Sequence, residues 1–137
     1  MKIGISGSRS LNSDAVKTFM KGIFDSNWSK IELMISGGCK EGPDNIAYEY
    51  AIDTGIEFFT CTPRKYPNYP NKTYDRGCNF RRNSKIVEKC DFLIAFYDGS
   101  SKGTKDTIDK GIKSGKKVVV YILDPTTGDL IDTKRFN

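Results

Sequence analysis

The chain has 137 residues, 37% hydrophobic and 28% charged, a size and balance that suit one compact core spanning residues 1–137. No run approaches the roughly 18 consecutive apolar residues of a membrane span, and the absence of histidine excludes His-based catalytic triads and His metal sites. The net charge of +5 gathers between Cys61 and Cys90, where Arg64, Lys65, Lys72, Arg76, Arg81, Arg82, Lys85 and Lys89 stand against only Asp75 and Glu88, so an anionic partner or a solvated basic face is expected there.

In chain order, short apolar runs alternate with segments of helical period, the pattern of β-α-β units around a parallel sheet. The first strand is read at 2–6. A helix follows, with Ala15, Val16, Phe19, Met20, Ile23 and Phe24 on one face and Asn12 and Ser13 available as caps. A strand at 32–36 leads to a helix striped by Ile46, Ala47, Tyr50 and Ala51 and closed by Gly55. A third strand at 57–60 is followed by a long loop, 61–74, in which Pro63, Pro67 and Pro70 interleave with Tyr66, Tyr69 and Tyr74.

A third helix is expected from about Asp75 to Lys89, partly exposed, with a weaker stripe of Phe80, Asn83, Ile86 and Val87. A strand at 92–96, a helix carrying Thr107, Ile108, Gly111 and Ile112, and a strand at 117–122 complete five parallel strands. The turn-rich segment 124–129 then sends Leu130 and Ile131 back as an antiparallel edge strand. The expected fold is a modified Rossmann-like α/β domain, a mainly parallel five-stranded sheet sandwiched by helices. The cysteines Cys39, Cys61, Cys78 and Cys90 form no Cys-x-x-Cys pair and are expected as reduced thiols without a metal, in a cytoplasmic protein.

In an open parallel sheet the ligand lies beyond the carboxyl ends of the strands, so the strand-to-helix junctions matter most. The first is Ser6-Gly7-Ser8-Arg9-Ser10, where a glycine permits close backbone approach and Arg9 can fork onto a phosphate. The second runs from Ser36 through Gly37, Gly38, Cys39 and Gly42 to Pro43 and Asp44. The third is Asp98-Gly99-Ser100-Ser101-Lys102-Gly103-Thr104. No dinucleotide fingerprint is present, and Gly37 to Gly42 has P-loop spacing but continues into Pro43-Asp44 rather than Lys-Ser/Thr.

Together these residues resemble the SLOG superfamily, which groups the Lonely Guy phosphoribohydrolases, the molybdenum-cofactor carrier proteins, the DNA-processing protein DprA and small YspA-like and YpsA-like proteins. The resemblance rests on Gly7-Ser8-Arg9, Ser36-Gly37-Gly38 followed by Gly42, Asp44 and Ala47, Arg82-Asn83 ahead of Cys90 to Phe96, and Ser101-Lys102-Gly103-Thr104. It is nearest to the YspA-like branch. It implies a homo-oligomer, dimer or tetramer, that binds a nucleotide-derived small molecule, with Gly7, Ser8, Arg9, Gly37, Gly38, Asp44, Arg82, Asn83, Ser101, Gly103 and Thr104 as ligand-binding residues and no cofactor. The phosphoribohydrolases carry a glutamate where this chain has Thr107, so anion binding is expected to be kept and the catalytic acid lost.

Three functions follow as expectations. The first is a binder or sensor of a phosphate-bearing, nucleotide-like molecule such as an ADP-ribose-like signal. The second is a nucleotide N-glycosidic-bond hydrolase whose acid has moved to Asp44, Asp98 or Asp106. The third is a DprA-like single-strand nucleic-acid binder that stacks bases on Tyr66, Tyr69 or Tyr74.

Overall fold

The computed structural model describes residues 1–137. Its elements run β1 (Lys2–Gly7), α1 (Asp14–Asn27), β2 (Leu33–Ser36), α2 (Pro43–Thr54), β3 (Glu57–Thr60), α3 (Cys78–Lys89), β4 (Phe92–Tyr97), α4 (Lys102–Lys113), β5 (Lys117–Leu123) and β6 (Leu130–Phe136), with a single 3-10 turn at Trp28–Lys30. One six-stranded sheet takes the order β3-β2-β1-β4-β5-β6. The first five strands are parallel and β6 pairs antiparallel with β5. The α/β, mainly parallel architecture expected from the sequence is therefore observed.

Alternation along the strands sorts the core into two layers. Ile3, Ile5, Met34, Ile94, Phe96, Val119 and Tyr121 face α1 and α2, where they meet Val16, Met20, Phe24, Ile46 and Tyr50. Leu93, Ala95, Val118 and Val120 face the other way, onto Ile86 and Val87 of α3 and Ile108 of α4. Phe24 is fully buried and packs edge-on against Phe96; burying such a side chain contributes about 1.5 to 3 kcal/mol. Ser13 caps α1 by accepting from the Val16 N–H at 3.3 Å, which fixes where the chain turns from the first loop into the helix.

Strands β1, β2, β4 and β5 differ from the sequence reading by one residue at one end, and three further boundaries are drawn by the structure. Helix α3 begins at Cys78 rather than Asp75, because Asp75 acts ahead of it: its carbonyl accepts from the Cys78 N–H and its carboxylate from the Gly77 N–H. Strand β6 extends through Asp132, Lys134 and Arg135 to Phe136, charged residues that an edge strand tolerates because most of its side chains are exposed. Helix α4 starts at Lys102, directly after the Asp98 to Ser101 turn.

The strand order places the site. The chain moves outward from β1 to β2 and β3, then returns to the far side of β1 for β4. The connections after β1 and β4 consequently diverge to opposite faces and leave a crevice at the carboxyl end of the sheet, the topological switch point of a doubly wound fold.

Candidate functional site

A cavity of about 460 Å³ occupies this crevice. Its walls come from the β1 turn (Gly7, Arg9, Ser10), the β2 turn (Gly37, Cys39), Asp44 at the start of α2, Arg76 just before α3, the first turns of α3 (Asn79, Phe80, Arg82, Asn83) and the β4 turn with α4 (Asp98, Ser101, Gly103, Thr104). Apolar side chains are few, chiefly Ile5, Phe80 and Ile86. The lining is therefore mostly hydroxyls, amides, guanidinium groups and backbone.

Two close approaches hold the turns in place. A Cβ on Gly7 would lie 2.2 Å from Cγ of Pro43, so glycine is what lets the end of β1 rest against the first turn of α2. Gly38 has φ +74, where non-glycine residues are strained, and a Cβ there would meet the Thr60 methyl at 2.3 Å.

The β1 and β4 turns are tied together by buried polar contacts. The Ser8 N–H donates to the Phe96 carbonyl at 3.0 Å, and the Asp98 N–H donates to Ser8 Oγ at 3.2 Å. Ser8 Oγ also shares a hydrogen with Thr104 Oγ1 at 3.3 Å, which in turn contacts Ser101 Oγ at 3.2 Å. The Asp98 carboxylate accepts from the N–H groups of Ser100 and Ser101, both at 2.9 Å, and from the Ser10 hydroxyl at 2.7 Å. Burial alone would push the Asp98 carboxyl up, but these bonds from Ser100, Ser10 and Ser101 outweigh it and hold the group below the usual carboxylate range. Asp98 thus stays ionised and shapes the turn, leaving the first-turn N–H groups of α4 uncapped because Ser101 makes no side-chain capping bond.

Arg82 and Asn83 form a second brace. Arg82 Nη1 donates to the Gly37 carbonyl at 2.8 Å and its Nε to Asn83 Oδ1 at 3.0 Å. Buried Asn83 then donates through Nδ2 to Asp106 Oδ2 at 3.1 Å and to the Gly103 carbonyl at 3.3 Å. One side chain on α3 therefore aligns both the guanidinium of Arg82 and the start of α4. Arg9 and Arg76, by contrast, are exposed and make no ion pair, so their guanidinium forks are free for a ligand.

Asp44, at the start of α2, stands in an environment that disfavours its charged form. Burial raises its carboxyl to about 6, against the lowering effects of the Cys39 N–H, Arg82, the Gly37 N–H and Arg9. The Cys39 N–H bond is 3.1 Å long.

Of the residues singled out from the sequence, Gly7, Arg9, Gly37, Asp44, Arg82, Asn83, Ser101, Gly103 and Thr104 line the cavity. Ser8 lies beneath it, almost fully buried, and serves as the link between the two turns. Gly38 faces a smaller adjoining pocket beside Tyr48 and Thr60, which shares Cys39 and Asp44 with the cavity. Sequence reading quoted Ser10 and Cys39 within the turns without singling them out for the site, and it did not bring Arg76, Asn79 and Phe80 there. The signal for the last three was their place in or just before the first turn of α3, which the topology aims at the same sheet edge. The other relocated acid considered, Asp106, is held by Lys110 at 2.7 Å and by Asn83, away from the cavity. Thr107 is buried with its hydroxyl donating to the Gly103 carbonyl at 3.1 Å.

Beside this cavity lies a second, of about 490 Å³, between residues 62–76 and α3. It shares Arg76 and Arg82 with the first and adds Arg64, Arg81, Lys85 and Tyr74. No group of three or more Cys, Asp or Glu side chains gathers at metal-binding distance; all four cysteines are free, with Cys61, Cys78 and Cys90 buried. No helix is long and apolar enough to cross a membrane.

The fold and the switch-point crevice define a Rossmann-like, doubly wound α/β protein. No family model and no curated protein sequence matches the chain. Among solved structures it is similar to DNA processing protein A (DprA) from Streptococcus pneumoniae, with a TM-score of 0.68 and 17% identity over 85% of this chain and 48% of that one. The chain therefore spans about half the length of that structure, and the likeness is one of fold.

Proposed function

We propose that the protein binds a nucleotide-like, phosphate-bearing small molecule in the crevice between β1 and β4. The observation that carries this reading is the composition of the cavity wall: Arg9, Arg76 and Arg82 converge with the uncapped start of α4 and the hydroxyls of Ser10, Ser101 and Thr104. A phosphate set against α4 meets backbone N–H donors, the positive end of the helix dipole and a free guanidinium together. Asp44, which also lines the cavity, is an acceptor suited to ribose hydroxyls, and exposed Phe80 offers aromatic surface to a base. An ADP-ribose-like signal fits this chemistry as one member of the class, and the SLOG resemblance supports the same reading.

Isothermal titration with AMP and ADP tests it. Arg9→Ala is expected to weaken binding by about 1.5 to 3 kcal/mol, the range for charge-assisted hydrogen bonds, with the fold unchanged by circular dichroism. Arg82→Ala should weaken it at least as much, because the Gly37 turn also loses its brace. Ligand at 100 times Kd should stabilise the native protein by about 2.7 kcal/mol. Nucleotides that neither bind nor raise the unfolding temperature would overturn the proposal.

One observation favours a second reading, cleavage of a nucleotide N-glycosidic bond. A carboxyl raised to about 6 inside the cavity can serve as general acid or base near neutral pH. Release of free base from AMP, abolished by Asp44→Asn even at AMP concentrations that saturate the variant, would establish catalysis; no release from the wild-type chain leaves the cavity a binding site.

A further inference from the structure

The second cavity differs from the first in its balance of charge: Arg64, Arg76, Arg81, Arg82 and Lys85 line it against a single acid, among neutral residues such as Thr62, Asn68, Thr73 and Tyr74. Its one acid, Asp75, is already engaged by the Arg81 guanidinium and by the Gly77 N–H. Arg64 reaches only the Pro67 carbonyl, at 3.4 Å, and neither Arg76 nor Lys85 forms an ion pair. Like charges held along one wall repel one another unless an anion lies between them. Arg82, fixed by its bonds to the Gly37 carbonyl and Asn83, stands between the two cavities and lines both.

Resting on the nucleotide reading above, we infer that the natural ligand carries two separated phosphates, as in a nucleoside 3′,5′-bisphosphate. One phosphate sits against α4 and Arg9, and the other lies in the second cavity with Arg64 and Lys85. Each cavity alone falls within the roughly 300 to 1,000 Å³ of small-molecule sites. A mononucleotide whose phosphate meets Arg9 and α4 therefore leaves the Arg64 and Lys85 cations without a partner. Arg76 and Arg82, shared by both walls, are placed to contact the ribose phosphate junction from either side.

Isothermal titration at about 0.15 M ionic strength, where exposed charges are screened beyond roughly 8 Å, tests the separation of the phosphates rather than total charge. Adenosine 3′,5′-bisphosphate is compared with AMP and with ATP, which matches its charge but keeps the phosphates contiguous. The bisphosphate should bind at least about tenfold more tightly than either, the equivalent of one added charge-assisted contact. In the double variant Arg64→Ala, Lys85→Ala that advantage should vanish while AMP affinity stays as in the wild type.

A bisphosphate no tighter than ATP, or a double variant that weakens AMP and bisphosphate equally, overturns the second subsite. Binding to oligothymidylates that strengthens steadily with their length also overturns it, in favour of a groove that tracks a single strand. If AMP, ATP and bisphosphate all fail to bind, it is the nucleotide reading itself that falls. AMP binding without a bisphosphate advantage sinks only the inference drawn here.

Discussion

The crevice between β1 and β4 and the cavity beside residues 62–76 meet at Arg82, yet they are built by different means. The first is braced from below: Ser8, Thr104 and Asn83 are buried and bonded across long stretches of chain, and Asp98 gathers donors from Ser10, Ser100 and Ser101. The second is assembled from exposed side chains on a loop and the outward side of α3, with the Lys65 carbonyl to Asp75 N–H bond and the Arg81 to Asp75 ion pair as its ties. Preorganisation is thus concentrated where the sheet ends, and charge is concentrated where most of the side chains are exposed. A rigid anchor flanked by an adaptable cationic wall suits a ligand fixed at one end and read at the other.

The sharpest way to break the contrast is to disturb the anchor. Gly7→Val should destabilise the protein by about 3 kcal/mol, since the new side chain enters the Pro43 ring and neither strand end nor helix start can shift without disturbing the turn network. Gly103→Ala, one strand away, places its Cβ in open space and should change stability by less than about 0.5 kcal/mol. Urea denaturation of both variants checks the pair; equal effects would show that the crevice is not braced as described.

Asp44 makes the anchor sensitive to pH. In the unfolded chain its carboxyl releases its proton near the ordinary value of 3.8, whereas in the folded protein it holds the proton to about 6. Between these limits the native state binds more protons, so stability contributed at low pH is lost as pH rises through this window, by about 2 to 3 kcal/mol. Asp44→Asn should remove that slope and leave the ligand-free protein about 2 kcal/mol more stable at pH 7. Denaturation of both proteins at pH 4 and pH 7 measures it; parallel pH profiles would show that Asp44 is not desolvated.

Asn83 probes the brace from α3. Asn83→Ala removes the acceptor of Arg82 Nε and a donor to the Gly103 carbonyl and should cost about 1 to 2 kcal/mol of stability. It should also weaken nucleotide binding, because Arg82 loses one of the two bonds that aim it. Stability lost with affinity intact would mean that Asn83 serves packing alone.

The two regions also differ in how far the sequence reveals them. Continuous apolar runs such as Phe92 to Phe96 and the helical stripes of α1 and α2 identify strands and helices because burial on two faces, or on one, leaves those periods directly in the chain. The glycine turns likewise announce the anchor, since close approach at Gly7 and positive φ at Gly38 demand glycine. Which turn residues line the crevice was less legible. Ser8 and Gly38 carry the same motif signal as Gly7 and Gly37, yet one points into the core and the other toward Thr60, a distinction fixed by tertiary contacts alone. The second cavity was visible only as a surplus of charge. Nothing in the order of Arg64, Arg76 and Lys85 says that a loop and a helix bring them to one wall.

The smallest effect expected is on stability in that second region, and it is the one that most sharpens the contrast. Lys85 is exposed and makes neither a hydrogen bond nor an ion pair, and Arg64 reaches only the Pro67 carbonyl. Removing either charge therefore breaks no network and relieves repulsion from neighbouring cations, so Arg64→Ala and Lys85→Ala should each shift stability by less than about 0.5 kcal/mol, upward if at all. Arg81 is the internal control: its ion pair with Asp75 is exposed on the arginine side but reaches a half-buried carboxylate that also receives the Gly77 N–H. Arg81→Ala should accordingly cost about 0.5 to 1 kcal/mol, the upper part of the range for such pairs. Thermal unfolding of the three variants at low and high salt separates the cases, because screening should erode the Arg81 effect and the repulsion among the others together. A loss above about 1 kcal/mol from Lys85→Ala would mean that the cationic wall is part of the scaffold, and the division between braced anchor and adaptable wall would dissolve.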